Sequence, residues 1–209
     1  ELKEHAKLSE AWPGVIEAAR LIGSEQVQSR ATLGGNLCNA SPAADSVPAM
    51  VAANASAVVA GPNGRREVAA ADIPTGPGTT SLQAGEFVVS VTLPKPPLRG
   101  GDAYLRFIPR TEMDIAVVGA GVSLSLNEDG TCATVRLALG AVAPTVRLVE
   151  TATDILVGKK LDDSVLNALA IAASDVCAPI DDKRGTIEFR TKVAGVLARR
   201  ATSIAWQRA

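Results

Sequence analysis

The chain has 209 residues, 47% of them apolar, which is enough to bury one or two cores and too much for a disordered tail. Its 21 basic and 22 acidic residues are spread along the sequence and leave a formal charge of -1, so no field is available to hold nucleic acid or an anionic membrane surface. Apolar runs such as 47–60 are broken by Asn54 and Ser56 and fall short of the ~20 residues of a membrane span.

In chain order, residues 13–22 place Val15, Ala18, Ala19 and Ile22 on one helix face, with Gly23 to end it. Residues 47–53 suit a short buried helix. Residues 57–60 and 65–68 read as a hairpin around Gly61-Pro62-Asn63-Gly64. Residues 86–93 read as a strand, stopped by Pro94, Pro96 and Pro97, because proline lacks the amide proton a sheet ladder needs. A domain boundary is expected there, dividing the chain into 1–97 and 98–209. Residues 103–108, 116–126 and 134–141 predict an antiparallel meander, with Asn127-Glu128-Asp129-Gly130 as the turn between the last two. From 148 the period changes, and 148–156, 164–176 and 187–200 predict helices capped at Asp163 or Ser164 and at Thr186. Strands followed by helices give an α+β fold, here a three- or four-stranded antiparallel sheet with a helical layer.

Several chemistries drop out. His5 is the only histidine, so no histidine triad or multi-histidine metal centre can be built. Cys38, Cys132 and Cys177 are odd in number and far apart, forming neither a disulfide framework nor a metal pattern, and a reducing cytoplasm is the expected compartment. The Asn-x-Ser triplets at 39–41 and 54–56 are discounted as glycosylation sites. Gly119-Ala120-Gly121 lacks the third glycine of a dinucleotide fingerprint and sits in a strand pattern, where close packing explains it better; Gly158-Lys159-Lys160 lacks phosphate-loop spacing. Asp181-Asp182, beside Lys183 and Arg184, reads as a structural turn or cap.

The chemically informative segment is 30–45, Arg-Ala-Thr-Leu-Gly-Gly-Asn-Leu-Cys-Asn-Ala-Ser-Pro-Ala-Ala-Asp. Gly34 and Gly35 permit positive φ and remove side chains that would hold a ligand away, while Thr32, Asn36, Asn39 and Ser41 offer hydroxyl and amide groups. Such a loop can wrap a polyhydroxylated or phosphorylated ligand. By spacing alone a plain tight turn flanked by polar residues is the better explanation.

Thr32-Leu33-Gly34-Gly35-Asn36, with Ala40-Ser41-Pro42 and Asp45, resembles the Thr-x-Gly-Gly-Asn segment of the FAD-binding (medium) subunit of the molybdenum hydroxylases, the family of xanthine, aldehyde and carbon monoxide dehydrogenases. The likeness continues through Gly85-Glu86-Phe87-Val88-Val89, Tyr104-Leu105-Arg106-Phe107, Asp114-Ile115-Ala116-Val117-Val118, Ala141-Val142-Ala143-Pro144-Thr145 and Pro179-Ile180-Asp181-Asp182-Lys183-Arg184. It implies that 1–97 form the second lobe of a two-lobed FAD-binding domain and 98–209 the α+β C-terminal domain. It also implies that Thr32, Gly34, Gly35, Asn36, Asn39 and Asp45 contact the flavin, with Val88 packing near the ring and Arg106 standing where the family often has a lysine.

The implied role is an electron relay in an oxidoreductase. A large molybdopterin subunit oxidises substrate, a small subunit with [2Fe-2S] clusters passes electrons on, and FAD delivers them to an external acceptor, in an assembly expected to be a dimer of heterotrimers. The family's other glycine loop, which cradles the FAD diphosphate, would lie upstream of Glu1, so the chain reads as a fragment lacking the N-terminal FAD lobe. Residues 107–114 are expected beside the flavin, with Met113 where some relatives carry a carboxylate, and Gly78 stands where relatives can carry an aromatic shield. Two alternatives are a self-contained FAD oxidoreductase of the same superfamily, disfavoured by the scarcity of histidine and tyrosine, and a non-catalytic assembly subunit that has lost flavin, disfavoured by the intact 32–45 segment.

Overall fold

The computed structural model describes residues 2–110 and 113–209. Five helices come first: α1 (Ala6–Ala11), α2 (Pro13–Arg20), α3 (Glu25–Gln28), α4 (Leu33–Cys38) and α5 (Ser46–Ala52). A hairpin of β1 (Ser56–Gly61) and β2 (Gly64–Ala69) follows, then the short pair β3 (Pro74–Gly76) and β4 (Thr79–Thr80), and then β5 (Phe87–Thr92), which joins β1 in a sheet of order β2-β1-β5. The second sheet runs β6 (Gly100–Phe107), β7 (Val118–Leu126), β8 (Cys132–Gly140) and β9 (Arg147–Leu148) in sequence order, every pair antiparallel. Helices α6 (Ala152–Leu156), α7 (Asp163–Asp175) and α8 (Ile187–Arg208) complete the α+β fold.

The four-stranded sheet is covered on both faces. Because strand side chains alternate, Val118, Ala120, Val122 and Leu124 of β7 join Leu137 and Leu139 of β8 in one core with Leu169 of α7 and Leu197, Ala201 and Ala205 of α8. The opposite face belongs to a second core, in which Tyr104 and Ala138 lie with Val15 and Ala18 of α2 and Val47, Met50 and Val51 of α5. Three glycines make that face shallow. A Cβ at Gly121 would stand 2.7 Å from Pro48 O, one at Gly140 would stand 2.6 Å from Pro48 Cγ, and one at Gly119 would stand 2.5 Å from the Tyr104 hydroxyl. The Gly119-Ala120-Gly121 run is therefore a packing device, as its place in a strand pattern suggested.

Side chains also tie α2 to this sheet. Asp102 of β6 accepts from the main-chain N–H groups of Gly14 and Val15 at the start of α2, satisfying donors that a helix N-terminus leaves open. Arg208 at the end of α8 donates to Asp102 O at 2.8 Å and pairs with Glu17 of α2. Helices α2 and α8 thus meet at β6.

Local structure departs from expectation in three places. Gly34 and Gly35 lie inside α4 and are absent from the glycines of positive φ, so the expected tight turn is a helical turn: Thr32 caps it, and Leu33 and Leu37 lie four residues apart on one side. Residues 147–148 form an edge strand on β8, and only Ala152–Leu156 is helical. The cap of α7 is Asp162, whose Oδ1 accepts from Val165 N at 2.8 Å, because its extended backbone (φ -138°, ψ 176°) aims the carboxylate back along the helix axis.

Candidate functional site

The glycine segment folds as a short helix followed by a pinned connection. Thr32 Oγ1 accepts from Gly35 N at 2.8 Å, which fixes the start of α4. Gly34 packs on β5: a Cβ there would meet Val88 Cγ1 at 3.4 Å. Gly35, Thr32 and Asn39 are exposed and Leu37 is buried, so α4 anchors itself by Leu37 and presents bare main chain at Gly35 in its first turn. Beside it, Arg20, Ile22, Gln28, Arg30, Thr32 and Leu33 help to line a groove of about 630 Å³.

Asn36 turns inward, its Oδ1 accepting from Ser46 Oγ at 2.6 Å and Ser46 N at 3.3 Å. The connection 39–45 is held at its carbonyls: Ala40 O accepts from Gly78 N at 3.0 Å and Pro42 O from Ala141 N at 2.7 Å. Gly78 and Ala141 both adopt left-handed backbone, φ 71° and 62°, to deliver those donors. A side chain added at Gly78 would find open space sterically but a backbone that disfavours it.

At the end of the connection Asp45 is 8% exposed. Its Oδ1 accepts from the Tyr104 hydroxyl at 3.2 Å and its Oδ2 from Arg106 Nη1 at 2.8 Å. Arg106 Nη1 also donates to Leu21 O, just past α2, at 2.8 Å. Burial pushes the Asp45 carboxyl up to about 6 against the opposing pull of Arg106 and of the Tyr104 hydroxyl. The same burial, together with the neighbouring Asp45 charge, raises the Tyr104 phenol well above its ordinary value.

The eight residues singled out from sequence therefore fall into two sets. Thr32, Gly35 and Asn39 lie exposed along the outer side of α4, and Gly34 packs on Val88 behind them. Asn36, Asp45 and Arg106 face inward, and each is bonded to protein. The residue that sequence reasoning passed over is Tyr104, although positions 104 and 106 of one strand share a face; that periodicity was the signal that could have found it. Of the 107–114 stretch expected beside the flavin, Thr111 and Glu112 lie outside the described residues. Met113 adopts φ 51° and Asp114 pairs with Arg110 at 3.0 Å and Arg184 at 3.3 Å.

The outer set fits a flavin nucleotide. A turn without side chains lets main-chain atoms approach a ligand, an amide and a hydroxyl flank it, and an apolar valine closes the back. Such a surface binds and orients; redox chemistry would come from the cofactor. Among the described residues no cluster of three or more His, Cys, Asp or Glu side chains is disposed to hold a metal, and no helix is long and apolar enough to cross a membrane.

Two family models match the chain: the FAD binding domain in molybdopterin dehydrogenase over residues 1–96, and the CO dehydrogenase flavoprotein C-terminal domain over 103–205. The carbon monoxide dehydrogenase medium chain of Afipia carboxidovorans is 36% identical over 94% of this chain and 68% of its own length. The putative xanthine dehydrogenase FAD-binding subunit of Escherichia coli is 30% identical over 91% of this chain and 65% of its own. Among solved structures, carbon monoxide dehydrogenase from Hydrogenophaga pseudoflava superposes with a TM-score of 0.94 at 34% identity, covering 100% of this chain and 72% of that one. Quinoline 2-oxidoreductase from Pseudomonas putida superposes with a TM-score of 0.89 at 30% identity, covering 98% and 70%. On these findings the chain belongs to the FAD-binding medium subunits of the molybdenum hydroxylases, the family of the carbon monoxide and xanthine dehydrogenase flavoproteins.

Proposed function

We propose that this chain is the flavin relay of a multi-subunit molybdenum-dependent dehydrogenase, standing between the iron–sulfur clusters of a small partner subunit and an external electron acceptor. When bound, FAD supplies the chemistry, taking up electrons from one side and giving them out on the other. The chain's own residues bind and orient it. Thr32, Gly34, Gly35 and Asn39 offer the polar and main-chain face, and Val88 sets the depth at which a planar ring can lie. Residues 1–97 supply this face, and 98–209 form a C-terminal domain whose sheet carries Tyr104 and Arg106 beneath it. A large molybdopterin subunit completes the heterotrimer, two of which pair in a cytoplasmic enzyme, and a further FAD lobe encloses the diphosphate.

The observation that carries this reading is the exposed main chain of Gly35 in the first turn of α4, with Gly34 packed on Val88 behind it, in a chain of this family. The test is purification of the protein with its co-purifying chains. The flavin absorbance band, release of FAD on denaturation, and a large molybdopterin chain with a small iron–sulfur chain are expected. A complex without flavin, with side chains filling the cradle, would establish an assembly role instead.

A further inference from the structure

The connection 39–45 leaves α4 for α5 and is held at two carbonyls by donors from distant turns. Ala40 O accepts from Gly78 N, in the β3–β4 turn, at 3.0 Å, and Pro42 O accepts from Ala141 N, just past β8, at 2.7 Å. Three left-handed residues meet at these two bonds: Ala40 (φ 49°), Gly78 (φ 71°) and Ala141 (φ 62°). Glycine adopts that backbone freely, whereas alanine there carries a steric cost, which persists where the surrounding structure over-determines it. At Ala141 the constraint is visible on both sides. Before it, Gly140 closes β8 against the start of α5, where a Cβ would stand 2.6 Å from Pro48 Cγ and 3.7 Å from Pro42 O. After it, Val142 is wholly buried, and its carbonyl accepts from Ala178 N, beyond α7, at 2.7 Å. The Ala141 carbonyl oxygen lies 3.5 Å from Nη1 of the buried Arg190.

We infer that the left-handed turn at Ala141 is a strut by which the four-stranded sheet sets the position of the flavin-binding segment, and that Ala141 is a positioning residue for the cofactor through its backbone conformation. The inference rests on the flavin reading above and deepens it. Residues 140 and 142 are fixed by packing and by the Ala178 bond, so they cannot follow a change at 141. Leaving the left-handed region would rotate the Gly140–Ala141 peptide and swing its N–H away from Pro42 O. Pro42 comes soon after Asn39, the residue that caps the end of α4, so a shift of the Pro42 carbonyl passes along a short stretch to the exposed Asn39 side chain. Gly78 holds the same stretch at Ala40 from within the β3–β4 turn; Ala141 ties it to the sheet that α7 and α8 cover.

The test compares Ala141→Val with Ala141→Gly in the protein purified with its co-purifying chains, stripped of FAD and titrated with it. Valine is branched at Cβ and strongly disfavoured in the left-handed region, while glycine keeps both the N–H and the backbone conformation. The strut predicts FAD binding about tenfold weaker in Ala141→Val and within about twofold of wild type in Ala141→Gly. Wild-type affinity in a folded Ala141→Val would overturn the inference. So would an equal loss in both variants, which would trace the effect to the methyl group and not to the backbone. Should Ala141→Val fail to fold, amide hydrogen exchange of the wild-type protein with and without FAD decides. Coupling between two equilibria is reciprocal, so FAD must slow exchange of the Ala141 amide by about tenfold more than that of amides in the middle of α7. Equal slowing at the two places would overturn the inference. Wild-type protein that takes up no FAD would instead overturn the flavin reading on which the inference stands.

Discussion

Gly121 lies directly beneath the carbonyl of Pro48: a Cβ at that position would sit 2.7 Å from the oxygen and 2.9 Å from Ala49 Cα. Helix α5 rests main chain against main chain on β7, and this close approach fixes the height of α5 above the sheet. Since α5 begins at the Asp45 cap, the glycine also sets where the carboxylate meets Tyr104 and Arg106.

Gly121→Ala is expected to destabilise the fold by about 1–3 kcal/mol, the usual cost of forcing a methyl group into a packed interior where only backbone could yield. Urea unfolding measures it. An unchanged midpoint would mean that α5 can lift from the sheet freely.

Gly35→Ala separates fold from ligand binding. The added methyl would meet only Thr32 Oγ1, at 3.0 Å, on the exposed side of α4, and alanine replaces glycine inside a helix, where it is favoured by about 1 kcal/mol. Stability should therefore change by no more than about 1 kcal/mol, while FAD affinity falls by about tenfold or more as the methyl enters the cradle. Parallel thermal melts and flavin titrations check both arms. Loss of stability with intact FAD affinity would contradict the placement of the ligand.

Arg190 ties the start of α8 to the start of β7. Only 3% exposed, it donates to Val117 O at 2.9 Å and to Asp182 at 2.6 Å. Arg190→Met keeps most of the volume but strands a buried carbonyl and removes the partner of a carboxylate that is itself partly solvated, for a cost of about 2–3 kcal/mol. Chemical denaturation of the variant is the measurement. The Asp181-Asp182 turn thereby has a structural role, with Asp182 held below its ordinary carboxylate range first by the Arg184 main-chain N–H and then by the Arg190 guanidinium.

Asp45 gives a pH dependence of definite sign. Its carboxyl is raised in the folded state to about 6, from about 3.8, by burial. The folded protein keeps a proton there that the unfolded chain has lost, so the associated stability is full below about pH 4 and is lost as pH rises through about 6. Asp45→Asn does not titrate. Between pH 5 and 7 the wild type should therefore lose about 1 kcal/mol relative to this variant, measured by urea unfolding at both pH values. A constant difference would refute the raised carboxyl. On the acid side the sign reverses: Asp114 and Glu86 are both lowered to about 2, by bonds led by Arg110 and Arg66 respectively, and their contributions persist above about pH 4 and vanish toward pH 2.

Much of the architecture was legible because it is written in periodicity. The α2 face, the hairpin around Pro62 and Asn63, the meander and the long C-terminal helix all follow from spacing and from residues with fixed turn chemistry. Residues 33–38 were less legible, because two glycines argue for a turn whatever surrounds them. What outweighed them was a cap at Thr32 and a leucine pair four apart, whose value depends on a buried site for Leu37.

By itself the sequence determined the α+β order of elements, the family likeness and the identity of the glycine segment, since these rest on local propensity and on strings of neighbouring residues. Only the tertiary structure decided which polar groups face outward. Asp45 and Arg106 are 61 residues apart, and nothing in either segment states that they bond each other. That pairing arises from the antiparallel register that sets Tyr104 and Arg106 opposite two glycines of β7, and from the height at which α5 lies on the same face. Both are properties of packed layers and of no single stretch of chain.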